Sequence, residues 1–276
     1  SNFVMISDTQ EGVLHALYCH NYARIFAMRS SDDGATFSEP VEITEMLLPF
    51  RDHYPWRVIA TGPGHGIQLR NGRLVIPVWM SDGSGSEFGR GHLGHRPSEV
   101  ATIYSDDHGA TWSCGEIFVH TDARVHNPSE TLAVELSDGR VLCNIRSEAK
   151  ENRRLIAISP DGASNWTTPE FDEALLEPVC MASLLRLAQQ TADGSSIYLF
   201  ANPDTLENEL TPTGGNLHHD RKRVTVKMST DECRTWPVAR VLEAGPSGYS
   251  DLAEATDGTL LCIYECGMVD RMTDTR

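Results

Sequence analysis

Ser105-Asp106-Asp107-His108-Gly109-Ala110-Thr111-Trp112 reads as a closed hairpin turn. Ser and Asp side chains bond nearby backbone N–H groups, Gly permits a positive φ, and the aromatic residue tucks beneath the turn. The unit recurs as Ser30-Ser31-Asp32-Asp33-Gly34-Ala35-Thr36-Phe37. A third copy, Ser229-Thr230-Asp231-Glu232-Cys233-Arg234-Thr235-Trp236, carries Cys233 in place of Gly. A fourth, Ser159-Pro160-Asp161-Gly162-Ala163-Ser164-Asn165-Trp166, keeps Ser, Asp and Trp, with Ala163 and Asn165 at the Gly and Thr positions.

Between these boxes lies a second repeated unit, an apolar strand, a polar residue with Gly, and another apolar strand, which is the pattern of a tight hairpin. It turns at Asn71-Gly72, Asp138-Gly139 and Asp257-Gly258, and more loosely at Glu11-Gly12 and Asp193-Gly194. Hairpin and box alternate along the chain, and each pair predicts a four-stranded antiparallel sheet. Sheets repeated in this way are propeller blades, whose radial arrangement protects their edges. The reading gives four blades and half of a fifth. Helical periodicity is confined to a hint at Asp172-Glu173-Ala174-Leu175-Leu176, and insertions lengthen two blades, at 82–95 and 202–220.

The chain has 276 residues and a formal net charge of −16. That balance argues against nucleic acid or an anionic membrane as a partner. No apolar run approaches the roughly 18 residues of a membrane span, and Ser1-Asn2-Phe3-Val4-Met5 shows no signal peptide. Seven cysteines without a CxxC pair or a zinc spacing read as small buried hydrophobes. Basic residues are lopsided, 20 Arg against 3 Lys. Arg suits the two-pronged grip of a carboxylate, although codon bias produces the same excess.

Four such boxes on a propeller resemble the sialidase (neuraminidase) family over essentially the whole chain. The resemblance implies an all-β, six-bladed propeller of the sialidase type. About four and a half blades fall within residues 1–276 as one domain, with the N-terminal blade missing. It further implies a retaining exo-α-sialidase that removes terminal α-linked sialic acid from glycoconjugates, without cofactor or metal. A secreted or periplasmic parent is compatible with it, and oligomeric state is left open.

Family members use a tyrosine nucleophile, and the physical reason is the substrate's own carboxylate. Two carboxylates about 4 Å apart at an effective dielectric near 20 repel by about 4 kcal/mol, whereas a phenol is neutral until a base activates it. Tyr249, in Ser247-Gly248-Tyr249-Ser250-Asp251-Leu252 at the opening of the last hairpin, resembles this nucleophile. Glu130, in Asn127-Pro128-Ser129-Glu130-Thr131, resembles its partner base. Arg146, closing the strand before it, and Arg221, ahead of a strand leading into a box, resemble two of the three carboxylate-binding arginines, with Arg223 a rival to Arg221. Glu265 resembles a glutamate that orients the first arginine. That arginine and the acid/base aspartate match nothing in the chain, and Asp8 sits inside a hairpin.

Trp56, His65 and the His92/His95/Arg96 loop are further candidates for lining a sugar site, and His218-His219-Asp220 reads as an exposed loop or a metal pair. Two alternatives stay open: a propeller that binds acidic sugars without turning them over, and a glycosidase for another 2-keto sugar acid.

Overall fold

The computed structural model describes residues 1–209 and 219–267. In chain order, β1 (Val4–Asp8), β2 (Val13–His20), β3 (Arg24–Ser30) and β4 (Val41–Glu42) form the first antiparallel sheet. A 3₁₀ helix (Thr44–Asp52) follows, with Leu47 and Phe50 buried one turn apart. Next come β5 (Val58–Thr61), β6 (Gly64–His65), β7 (Ile67–Gln68), β8 (Leu74–Ser81), β9 (Ser98–Ser105) and β10 (Ser113–Val119). Of these, β6 adds to β1 in parallel, and the rest form the second sheet. The third sheet is β11 (Thr131–Glu135), β12 (Val141–Ile145), β13 (Arg153–Ser159) and β14 (Glu170–Leu176). The fourth is β15 (Ser183–Gln190), β16 (Ser196–Pro203), β17 (Lys222–Ser229), β18 (Val238–Glu254) and β19 (Leu260–Cys266).

Every box sits where the repeat predicts, in the turns β3–β4, β9–β10, β13–β14 and β17–β18, each between two neighbouring strands of one sheet. Ser105 Oγ accepts the Gly109 N–H at 2.8 Å, and the Asp107 carboxylate accepts Thr111 N–H at 2.8 Å and Thr111 Oγ1 at 2.6 Å. Ser30/Asp32/Thr36 and Ser229/Asp231/Thr235 repeat this network. The fourth box differs from the register read in the sequence. Gly162, at φ +74°, takes the Gly place and Ser164 the Thr place, so the turn is one residue shorter. Trp112 and Trp236 are buried, Trp166 is half-buried and stacks on Phe118 at 4.0 Å, and Phe37 stays 37% exposed.

Three other expectations change. Residues 172–176 are strand, because β14 pairs with β13 and Asp172 turns its carboxylate to the Ala174 N–H instead of continuing a helix. The half of a fifth blade is present as the pair of β19 with the second part of β18, and what changes is its boundary: β18 runs 17 residues unbroken, with its first part paired to β17. Finally, Cys19, Cys143, Cys180 and Cys233 are buried as expected, but Cys114 and Cys262 are half-buried and Cys266 is exposed on β19.

The chain divides into two compact units, Ser1–Glu135 with Gly139–Cys143 and Ala157–Pro169, and Leu136–Asp138 with Asn144–Ile156 and Glu170–Arg276. The first is cored by Leu17, Ile59, Leu74, Ile76 and Ile103; β8 is buried at all eight positions, as a strand covered on both faces must be. In the second, Leu187, Leu199, Ala201 and Leu252 form a cluster that Leu185, Val226 and Met228 extend. No helix among the described residues is long and apolar enough to cross a membrane.

In the first unit, buried Asp8 joins the opening hairpin to the second box. It receives Gln68 Nε2 at 2.6 Å, the N–H groups of Gln10 and Glu11, and His108 Nδ1 at 2.7 Å. Burial alone would push the Asp8 carboxyl up, but these hydrogen bonds outweigh it and hold it low. Hydrogen bonding to Asp8, helped by Glu11 and Asp107, raises His108, while burial lowers neighbouring His15. Stabilisation from His108 is therefore complete below its unfolded value of about 6.5 and fades as pH rises through the raised one; that from Asp8 holds above about 3.9 and fades as pH falls. His108→Ala should lower the urea midpoint most between about pH 4 and 6.5, with the deficit shrinking at higher pH. A deficit independent of pH would disprove the charged pairing.

Candidate functional site

In the second unit Tyr249 lies inside the long strand β18, at the opening of the hairpin that β18 forms with β19, whose ladder begins at the pair Ser247 and Cys266. The run Gly245-Pro246-Ser247-Gly248 stays extended, and the ladder to β19 shifts register between Ser247 and Ser250. Such an irregularity re-aims a side chain and leaves its backbone unpaired. Here the Tyr249 N–H goes to the Glu265 carboxylate, at 3.1 Å from Oε2.

Two arginines flank the phenol. Arg146 directly follows β12, and its Nη1 donates to Tyr249 Oη at 3.0 Å. Arg221 directly precedes β17, and its guanidinium carbon stands 5.4 Å from the centre of the Tyr249 ring. The backbone supports this approach, because the Ser247 N–H donates to the Arg221 carbonyl at 2.9 Å. Arg223 is not part of the group. Simple alternation would put it on the same side as Arg221, but its φ of +64° and a register shift between Lys222 and Val224 turn it into solvent. Tyr249, Arg146, Arg221 and Glu265 are thus brought together, each half-buried.

Glu130 belongs to the first unit, at the entrance to β11, and is 7% exposed. Its charge acts on Tyr22 and His95. Burial, then the neighbouring charges of Cys19 and Glu130, push the Tyr22 phenol up. Burial lowers His95 against the pull of Glu87 and Glu130. The His95 ring lies 4.3 Å from Tyr22, 4.6 Å from Phe88 and 5.1 Å from Trp79. Tyr22, Phe88 and His95 line an open cleft of about 530 Å³. The sequence signals His92 and His95 but not Tyr22, which sits in an ordinary-looking turn at φ +54°.

The weaker candidates divide. Trp56 is 1% exposed beneath Arg51 and is a core residue. His65 is half-buried on β6. His219 is not an exposed loop residue: it is 7% exposed, with ring nitrogens 3.0 Å from Asn208 Oδ1 and from Asn152 Oδ1. His218 lies outside the described residues. No cluster of three or more His, Cys, Asp or Glu residues suited to a metal occurs among the described residues.

A BNR repeat-like domain matches residues 2–262. The sialidase of Micromonospora viridifaciens is 33% identical over 86% of this chain, and Sialidase-3 of Rattus norvegicus 27% identical over 91%. The chain spans 33% and 65% of the lengths of these two relatives. Among solved structures, a Hadza microbial sialidase superposes with a TM-score of 0.71 at 27% identity, covering 91% of this chain and 47% of its own. Together with four box turns on antiparallel blades, these matches make the chain a member of the BNR-repeat sialidase family, with that family's all-β propeller fold.

Proposed function

We propose that the protein containing this chain is a retaining exo-α-sialidase acting on terminal α-linked sialic acids of glycoconjugates. The observation that carries the reading is the phenol of Tyr249 held between two guanidinium groups, with Arg146 Nη1 at 3.0 Å from Oη and Arg221 over the ring. A structural tyrosine has no need of two cations; a phenol that gains and loses negative charge beside an anionic substrate does.

In the proposed reaction Tyr249 Oη attacks the anomeric carbon as the glycosidic C–O bond breaks, and the aglycone leaves as an alcohol after protonation. Water then displaces the tyrosyl oxygen from the same carbon, and two inversions give net retention. The phenolic proton goes to a base, and Glu130 takes that role on the likeness of its Asn127-Pro128-Ser129-Glu130-Thr131 segment. Arg146 and Arg221 grip the sugar carboxylate and neutralise it, so that it does not oppose attack. Glu265 fixes the backbone of Tyr249, holding its ring at the bulge.

Titration with free sialic acid and with its 2,3-unsaturated analogue, whose anomeric carbon is flattened as in the transition state, tests the reading. The analogue should bind at least about tenfold more tightly. Equal affinity would identify a non-catalytic acidic-sugar-binding propeller instead. Equal response to another 2-keto sugar acid and its analogue would move the specificity away from sialic acid.

A further inference from the structure

The second unit also holds an ion pair with no contact to solvent. Arg154, on β13, and Glu177, just after β14, are both 0% exposed, and Arg154 Nη1 donates to Glu177 Oε2 at 2.5 Å. A buried pair of this kind gives little net stability, because desolvation of both charges offsets their attraction, and apolar residues of the same size usually serve a core as well or better. Its hydrogen bonds lead to the two arginines of the site.

One branch runs to Arg146. Arg154 Nε donates to Asn144 Oδ1 at 2.6 Å, and Nη2 to the Asn144 carbonyl at 3.4 Å. Asn144 is two residues before Arg146, on the strand that Arg146 closes, so this grip sets the height and twist from which the Arg146 side chain departs.

The other branch runs to Arg221. Glu177 Oε1 accepts the Cys180 N–H at 2.9 Å, and Arg154 Nη1 donates to the Cys180 carbonyl at 3.1 Å. Both ends of the 177–180 turn are thereby tied to the pair. Within it Val179 is held at φ +63°, in the left-handed region that a β-branched residue adopts only when its surroundings impose it. The result is a carbonyl aimed at the site: the Val179 oxygen accepts Arg221 Nη2 at 2.9 Å.

We infer that the buried Arg154–Glu177 pair, acting through Asn144 and through the strained Val179 carbonyl, positions Arg146 and Arg221 for two-armed recognition of a carboxylate. Arg154, Glu177 and Val179 are positioning residues; none is assigned a contact with substrate. The inference rests on the reading of Arg146 and Arg221 as carboxylate ligands given above.

The test compares binding of free sialic acid with that of its methyl ester, which keeps the sugar and lacks the charge. The intact protein should prefer the acid. In the double variant Arg154→Met/Glu177→Leu, which removes both charges together, the preference should fall by about tenfold or more while affinity for the ester stays within about threefold. Loss of affinity for acid and ester alike, or an unchanged preference, would overturn the positioning role. Should the double variant not fold, Asn144→Ala leaves the ion pair and the Val179 carbonyl in place and removes only the side-chain oxygen that accepts Arg154 Nε. It should reduce the acid preference with ester affinity within about threefold, and a full preference in that variant would count against the inference. An intact protein that does not distinguish acid from ester would refute the carboxylate-ligand reading itself, a result separate from either failure.

Discussion

Replacing Tyr249 with phenylalanine in the intact protein is expected to reduce hydrolysis of an aryl sialoside by about three orders of magnitude or more, almost entirely in kcat. The substitution removes one hydroxyl group and nothing else. The ring remains in place beneath Arg221, whose guanidinium stands 5.4 Å from its centre, and the backbone bond to Glu265 does not involve the side chain. Binding of free sialic acid should therefore change by only a few-fold, since the variant forgoes the hydrogen bond from Arg146 Nη1 to Tyr249 Oη and keeps both guanidinium groups. Attack on the anomeric carbon, by contrast, no longer has an oxygen to make it. Steady-state kinetics with a leaving group that needs no acid assistance checks this directly; turnover within about threefold of the parent protein would remove Tyr249 from the nucleophile role.

Arg146→Ala should lower kcat/KM by a factor of about 10² to 10³, equivalent to about 3–4 kcal/mol of transition-state stabilisation. One guanidinium is asked to do two things. It donates to Tyr249 Oη at 3.0 Å, where the proposed reaction builds and removes charge, and it is proposed to hold the substrate carboxylate. Arg146→Lys should recover only part of the activity, because an ammonium lacks the planar fork that addresses two oxygens at once. Arg146 is half-buried and the Arg154 bonds to Asn144 survive its removal, so thermal stability should change little. A kcat/KM within threefold of the parent, at unchanged stability, would contradict both tasks.

Much of this architecture is legible in the residue pattern. The boxes are local: serine, aspartate, a residue tolerant of positive φ and threonine close their hydrogen bonds within eight residues, so the turn forms wherever that spacing occurs. The shorter fourth box misleads by one position because Ser164 performs the threonine's task from a neighbouring place. The Asp172 segment has the charge and leucine spacing of a helix, but pairing with β13 overrides that preference. Arg154 gives no signal of its role, because a charged residue in Arg153-Arg154-Leu155-Ile156 has the pattern of a solvated strand end, and only burial reveals that it faces inward.

The sequence by itself determined an all-β repeat architecture and the places of its turns, since these depend on hydrogen bonds and alternation over a few positions; the residues of the candidate site were named from the likeness of short segments to the sialidase family. Which arginine meets Tyr249 was decided by tertiary structure alone. Arg221 and Arg223 share the same strand parity, and the choice between them depends on a positive φ at Arg223 and on the carbonyl of Val179, 42 residues away along the chain. The continuity of β18 was decided in the same way, because only pairing with β17 on one side and β19 on the other carries an extended chain through a glycine- and proline-rich stretch that locally reads as a break.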